Sequence, residues 1–254
     1  MTNTKFTIGG IEIDNLTFAE ALERIVTIAK QHRSQYVVTP NVDHIVRLQE
    51  DADFLKIYQG AALSVVDGMP IVWASHWLGN PLKERVTGAD LLPRLCEVAA
   101  QRGLSVYFLG AAPGVAQLAA DKLQARYPGL TVAGLYSPPF GFETNAVECQ
   151  NIIELVNRCE PDILFVGLGS PKQERWIAQS QAHLKVGVML GIGAAIAFAA
   201  GVEKRAPLVM QKTGTEWLHR LAHNPRRLGG RYLQDFGFFK IVYRTWRRQR
   251  KSKK

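Results

Sequence analysis

The chain has 254 residues, 47% apolar and 21% charged, so it can bury a sizeable core and is neither low-complexity nor disordered. Its three scattered cysteines, Cys96, Cys149 and Cys159, exclude a disulfide framework and a CxxC site and fit a reducing cytoplasm. The net charge of +9 is a C-terminal property, since Glu203–Lys254 holds 15 Lys+Arg against 3 Asp+Glu; such local charge implies a nucleic acid, an anionic lipid or a phosphorylated substrate as partner.

Met1–Gly10 lacks the apolar stretch of a signal peptide. Phe6-Thr7-Ile8 and Ile11-Glu12-Ile13 flank Gly9-Gly10 and predict a short hairpin. Thr17-x-x-Glu20 is a capping box, predicting a helix from there to about Gln31. Strands and helices then alternate. Strands are predicted over Tyr36–Thr39, Leu63–Val66, Ser105–Leu109, Thr131–Leu135, Asp162–Val166 and Val186–Leu190. They are apolar on both faces, as parallel strands covered by helices are. Helices are predicted over Ala89–Arg102, Gly114–Tyr127 and Ala146–Cys159. The pattern is that of an α/β fold with a doubly wound, mostly parallel sheet. The uncharged stretches Leu104–Ala120 and Val186–Val202 are shorter than the roughly 20 apolar residues of a spanning helix. Each reads as a strand, a glycine turn and a helix start.

Ligands of open parallel sheets sit outside the carboxyl ends of the strands. The residues there are Pro40-Asn41-Val42-Asp43, Asp67-Gly68-Met69-Pro70, Gly110 to Gly114, Gly167 to Glu174, and Gly191-Ile192-Gly193. Glycines at Gly110, Gly167 and Gly169 let backbone N–H groups approach a phosphate, although plain turn geometry explains each as well. The GxGxxG fingerprint is absent, because Ile196 stands at its third glycine, and so is a Walker A motif. Asp67 follows an apolar strand and is a candidate general base; Asp-Gly is also a common turn pair. Thr39 and Asn41 are placed to orient a hydroxyl beside it, while Asn41 also suits a helix cap before Val42, Ile45 and Val46. Asp51-Ala52-Asp53 matches the Asp-x-Asp of metal-dependent glycosyltransferases. It opens a helical pattern instead (Phe54, Leu55, Tyr58), so Asp51 reads as an N-cap. With no HExxH and dispersed histidines, no metal site is expected.

In the tail, Tyr232, Phe236, Phe239, Tyr243 and Trp246 form one aromatic stripe on a helix, and Arg244–Lys254 holds seven basic residues. That combination describes a helix lying in an anionic membrane interface. The alternative is a stripe packed on the core with a solvated charge run. Arg220, Arg226, Arg227 and Arg231 suit a diphosphate and would stabilise negative charge on a departing nucleotide. The expected division is a core over residues 1–202 and a basic, aromatic appendage over 203–254.

In order along the chain come Thr39-Pro40-Asn41, Asp67-Gly68-Met69-Pro70, Arg85-Val86-Thr87-Gly88-Ala89-Asp90, Gly167-Leu168-Gly169-Ser170-Pro171-Lys172-Gln173-Glu174, Arg205-Ala206-Pro207 and Pro225-Arg226-Arg227-Leu228. Together they resemble the WecG/TagA/CpsF family, glycosyltransferase family 26, over about residues 7 to 240. The resemblance implies an inverting, metal-independent transferase with a Rossmann-like core. It implies a UDP-sugar donor carrying N-acetylmannosamine, its uronic acid or a hexose, with no further cofactor. The implied acceptor is a polyprenyl-diphosphate-linked sugar on the inner face of the cytoplasmic membrane. Products of the family feed teichoic acid linkage units, enterobacterial common antigen or exopolysaccharide. By the same resemblance Asp67 is the base, with Thr39 and Asn41 beside it. It also implies that Arg85 and Gln173 contact substrate and that Arg220, Arg226, Arg227 and Arg231 close over the diphosphate; Gly110, Gly167, Gly169, Lys172 and Gly193, at the strand ends, are further candidates for substrate binding. Where the family commonly has Gly-Gly-Ala-Phe-Asp-Phe, this chain has Gly193-Ala194-Ala195-Ile196-Ala197-Phe198. Ala197 replaces the usual Asp, which leaves the donor sugar open. A homo-oligomer is compatible with all of this. Two rival readings are a nucleic-acid-binding protein using the basic tail and another nucleotide-dependent enzyme on the same fold. The first leaves the strand-end Asp and the glycine turns unexplained, so no nucleic-acid partner is expected.

Overall fold

The computed structural model describes residues 5–223 and 235–252. Strands β1 (Phe6–Ile8) and β2 (Ile11–Ile13) pair antiparallel, with Ile8 opposite Ile11. Gly9 and Gly10 both take positive φ, as a two-residue hairpin turn requires. Phe6, Ile8, Ile11 and Ile13 all point to one face and are buried. Helix α1 (Phe18–Ala29) starts at the expected capping box: Thr17 Oγ1 accepts the Glu20 N–H, and Glu20 Oε2 accepts the Thr17 N–H at 2.7 Å.

Six strands form the main sheet: β3 (Gln35–Val38), β4 (Leu63–Ser64), β5 (Ser105–Gly110), β6 (Thr131–Tyr136), β7 (Ile163–Gly167) and β8 (Val188–Gly191). Their order is β4-β3-β8-β7-β5-β6 and every pairing is parallel. All six lie within two residues of the expected bounds, and the two-residue departures, in β4 and β8, have local reasons. The ladder of β4 stops at Ser64 because the chain bends away, sending the Val66 carbonyl to the Val86 N–H at 2.7 Å and the Asp67 N–H to the Pro40 carbonyl at 3.0 Å. That bend is what turns Asp67 off the sheet edge. Strand β8 starts late because Val186 is held by Ser34, through its N–H and its hydroxyl, instead of by a ladder partner.

Side chains alternate across the pleat, which splits the core in two. Val37, Val106, Phe108, Ile163, Phe165, Val188 and Leu190 face α1, α5 (Gly88–Arg102), α6 (Val115–Arg126) and α9 (Ala195–Ala200). Tyr36, Val38, Tyr107, Leu109, Leu164, Val166 and Met189 face the hairpin, α2 (Val42–Arg47), α3 (Ala52–Gln59), α4 (Met69–Trp77), α7 (Ala146–Cys159) and α8 (Lys172–Ser180). Phe108 and Phe165 stack at 5.7 Å inside the first layer, and burial of each contributes roughly 2–3 kcal/mol. After the core come α10 (Leu208–Lys212), α11 (Glu216–His223) and α12 (Gly237–Ser252). Helix α12 lies on α2 and β1 and buries Phe238, Ile241 and Val242 there.

At the amino-terminal edge of the sheet, Asp162 is a clamp. Its Oδ2 accepts from the Ser105 N–H at 2.7 Å and from the Ser105 hydroxyl at 2.9 Å, and its Oδ1 lies 2.8 Å from His32 Nε2. Burial resists ionisation, but the Ser105 N–H, then His32 and the Ser105 hydroxyl, outweigh it and hold the carboxyl below its ordinary value. A depressed folded value means stabilisation that is complete above the unfolded carboxylate value, about 3.9, and lost as pH falls through the folded one. Asp162→Asn is therefore expected to flatten the decline of Tm between about pH 4 and pH 2, read by calorimetry. An unchanged acid limb would remove Asp162 from the acid-labile set.

Candidate active site

From β5 the chain moves outward to β6, and from β7 it moves the opposite way to β8. The crevice between β5 and β7 is thus a topological switch point, the place where open α/β sheets bind ligands. Gly110 and Gly167 are register partners across it. Gly110 has φ +113°, and a Cβ there would stand 2.5 Å from the Gly167 carbonyl oxygen, so the two backbones touch. Gly169 (φ +78°) and Gly193 (φ +55°) differ: a Cβ on either would meet nothing within 4 Å. These turns therefore border open space on the side a Cβ would occupy. Helix α6 begins after Gly114 without a side-chain cap. The Ser170–Pro171 peptide that joins Gly169 to α8 is cis.

The carboxyl ends of β3 and β4 build a second corner. Thr39 is buried at the end of β3. Asn41 caps α2, its Oδ1 accepting the His44 N–H at 3.1 Å. Half-buried Asp67 hangs from Pro40, and a Cβ on Gly68 would lie 3.4 Å from the Asn41 Cα. The Asp67-Gly68 turn thus rests on Asn41. The backbone of Thr39-Pro40-Asn41 and that of Asp67-Gly68 therefore lie side by side.

A buried polar layer that sequence reasoning missed lies behind this corner. The Tyr58 hydroxyl is 2.7 Å from His44 Nδ1, and both residues are buried. Burial pushes the Tyr58 phenol well above its ordinary value; the carboxylates of Glu174, Asp43 and Asp67 push the same way, and Arg47 opposes them. Asp67 therefore belongs to a field shared by three carboxylates. The available signal was a polar pair, Asp43-His44, breaking the apolar side of α2. Gln173 is buried and committed: its Oε1 accepts the Gly193 N–H at 2.9 Å, and its Nε2 donates to Glu174 Oε1 at 2.8 Å. It ties the turn after β8 to α8. The other oxygen of Glu174 is buried with no hydrogen-bond partner among the described residues.

Arg85 is largely covered and reaches Glu216 of α11 at 3.8 Å. Arg205 grips Asp90 with both guanidinium nitrogens, at 2.5 and 3.0 Å, and approaches Glu216 at 3.9 Å. Burial resists ionisation of Asp90, but hydrogen bonds from Arg205 and Thr87 hold its carboxyl low. These residues link α5, α11 and the Asp67 corner, whose carboxylate adds to the field on Arg205. Sequence reasoning quoted Arg205 within a motif without giving it a role. Lys172 is paired with Glu143 and lies 4.8 Å from the Phe140 ring, at the rim. The Asp-x-Asp pair is a helix start: Asp51 accepts the Phe54 N–H at 2.9 Å and binds Arg175, and Asp53 pairs with Lys56.

A family model described as "Glycosyl transferase WecG/TagA/CpsF family" matches residues 6–252. The chain belongs to this glycosyltransferase family. Among curated relatives, an N-acetylglucosaminyldiphosphoundecaprenol N-acetyl-beta-D-mannosaminyltransferase of Staphylococcus aureus strain MW2 is 31% identical over 252 residues, covering 98% of this chain and 95% of the relative. The protein of the same description from strain NCTC 8325 / PS 47 matches to the same extent.

In this WecG/TagA/CpsF transferase, Ala197 lies half-buried on α9, at the position where the resemblance leads one to expect an Asp. Arg226, Arg227, Arg231 and Tyr232 lie outside the described residues, as does the side chain of Arg220 on α11. The described members of the tail's aromatic stripe divide between solvent and the core. Helix α12 buries Phe238, Ile241 and Val242, while Phe236, Phe239 and Tyr243 stay exposed. Trp246 is half-buried, stacking on Trp77 of α4 and packing against the core. Among the described residues no helix is long and apolar enough to cross a membrane.

Proposed function

We propose that this glycosyltransferase moves a sugar from a UDP-sugar to a polyprenyl-diphosphate-linked sugar, by a single inverting displacement that needs no metal, in cell-surface polymer synthesis. The observation that carries the reading is that the Asp67 corner and a glycine-lined crevice lie on the same carboxyl edge of one sheet. Strands in a sheet lie about 4.8 Å apart, so the exit of β4 is roughly 14 Å from that of β7. An extended nucleotide sugar spans such a distance, with its base toward the glycine turns and its sugar toward Asp67. The printed names of the Staphylococcus aureus relatives, which specify a lipid-diphosphate-linked acceptor, support the acceptor class.

In this mechanism Asp67 takes the proton of the acceptor hydroxyl while that oxygen bonds to the anomeric carbon. The bond from that carbon to the diphosphate oxygen breaks on the opposite face, and UDP departs. Asn41 Oδ1 is spent on the helix cap, so its NH₂ is the group left to orient the hydroxyl, with Thr39 beside it. The turns at Gly110, Gly167, Gly169 and Gly193, bare of side chains, let the nucleotide approach the backbone, with Lys172 at the rim. Gln173 acts by fixing the Gly193 turn. Arg85 and the arginines at 220, 226, 227 and 231 neutralise the growing charge on the diphosphate. With Ala197 in α9 no carboxylate contacts the donor from that helix, which tunes donor choice. Residues 203–254 serve as an appendage that closes the site and rests on the inner face of the cytoplasmic membrane; a homo-oligomer is compatible with this arrangement.

The nucleotide assignment is tested by thermal shift. UDP at about a hundred times its Kd stabilises by about 2.7 kcal/mol, which raises Tm by roughly 5–10 °C in a chain of this size. NAD and ATP are expected to shift it little. Stabilisation by ATP or NAD without UDP would move the chain to a different nucleotide chemistry.

A further inference from the structure

Helix α4 starts two residues after Asp67, and its outward stripe is Trp73, His76 and Trp77. Ile71, Val72, Ala74 and Ser75 pack inward. The two indoles remain 51% and 58% exposed. Leaving two such rings in water on a rigid helix forfeits a large apolar burial, so something planar or apolar is expected to cover them. The ring of Trp77 stacks on Trp246 at 5.8 Å, and Trp246 stacks on Tyr243 at 5.8 Å. On the other flank, the α10–α11 turn lies against α4: a Cβ on Gly214 would stand 3.2 Å from Trp73 Cζ2. Leu208, Val209, Trp217 and Leu218 of those helices are exposed as well. Core and appendage thus share one aromatic face.

Charge identifies what covers it. The Arg250 guanidinium sits 4.1 Å from the Trp246 ring and that of Arg247 6.0 Å from the Tyr243 ring. Lys240, Arg244 and Arg248 are exposed on the same helix. An aromatic band edged with arginines matches the headgroup level of an anionic leaflet, where indoles settle and cations near the surface are attracted. A second copy of this chain would bring like charges together on such a face.

We infer that Trp73 and Trp77 of α4, braced by the half-buried Trp246 of α12, insert into the headgroup layer of an anionic bilayer, so that the catalytic core and the tail contact the membrane together. This rests on the membrane-surface reading proposed above and extends it to the core. Its consequence is positional. Nine helical residues span about 13 Å, so α4 carries Asp67 at a fixed, short height above the aromatic band. A diphosphate anchored in the leaflet then reaches Asp67 without leaving the interface.

The test uses the full chain with phosphatidylcholine vesicles, with and without phosphatidylglycerol. Tryptophan emission is quenched by lipids carrying a nitroxide in the upper acyl chain, and the wild type is compared with Trp73→Phe and Trp77→Phe. On anionic vesicles the wild type is expected to be quenched, and each variant to lose part of the quenchable emission. Trp73→Ser/Trp77→Ser is expected to weaken vesicle partition roughly ten-fold. A Tm within a few degrees of the wild type, together with UDP binding, separates lost insertion from lost folding; should the double Ser variant misfold, the Phe variants carry the test. Vesicle binding with unchanged quenching in both Phe variants would overturn the inference while sparing the tail. A wild type that ignores anionic vesicles would sink the membrane reading as well. A Trp73-dependent blue shift that follows protein concentration without lipid would assign the face to a second copy and overturn the inference.

Discussion

Asp67→Asn is expected to lower turnover by about a hundred- to ten-thousand-fold while changing UDP affinity by no more than roughly two-fold. The substitution keeps the side chain's size and leaves the hydrogen bond from the residue's N–H to the Pro40 carbonyl intact. What it removes is the capacity to take a proton. Thr39 and Asn41 remain in place but neither is a base at neutral pH. The nucleotide, held on the far side of the crevice, loses nothing. Steady-state transfer rates with parallel UDP titrations read the two effects separately. Turnover near that of the wild type would dismiss Asp67 as the base. A matched loss of UDP affinity would show instead that it supports the fold of the corner.

Gly110→Val and Gly193→Ala should fail in opposite ways. At Gly110 a Cβ would press on the Gly167 backbone at 2.5 Å and the φ of +113° disfavours any side chain. Neither strand can retreat, since each is flanked by another strand, β5 by β6 and β7 by β8. Overpacking and backbone strain together are expected to cost about 3 kcal/mol or more, lowering Tm by roughly 10 °C. At Gly193 the left-handed φ costs an Ala about 1 kcal/mol, and the methyl enters open space. If that space holds the donor, Gly193→Ala leaves a folded protein with donor affinity reduced about ten-fold or more. Calorimetry and UDP titration distinguish the two. Wild-type UDP affinity in Gly193→Ala would put the nucleotide elsewhere on the sheet edge.

Much of this arrangement was legible in the residues. Apolar runs closed by glycine or Asp-Gly marked the strands and their carboxyl ends, and the capping signals at Thr17, Asn41 and Asp51 formed as read. Local chemistry decides those features, so local patterns report them. The layer of Asp43, His44, Tyr58 and Glu174 was not legible, because its members come from three separate helices, one of them over a hundred residues further along the chain, and meet only when α2, α3 and α8 pack on one face. The bend that frees Asp67 from β4 was likewise hidden, being set by carbonyls of Pro40 and Val66. In the tail, periodicity found the aromatic stripe and passed over the second one, Phe238, Ile241 and Val242, which docks α12. Two interleaved apolar stripes on one helix cannot be ranked without knowing what each meets. The role of Arg205 was hidden too, since its partners Asp90 and Glu216 lie on separate helices.

The most direct measurement is transfer of labelled N-acetylmannosamine from its UDP derivative to a short-chain polyprenyl-diphosphate-N-acetylglucosamine in EDTA, with the new anomeric linkage read by NMR. Single displacement at Asp67 predicts a lipid-linked disaccharide whose linkage has the configuration opposite to the donor's, formed by the wild type and nearly lost in Asp67→Asn. Retained configuration, or no transfer to the lipid acceptor from any member of a UDP-sugar panel, would contradict it.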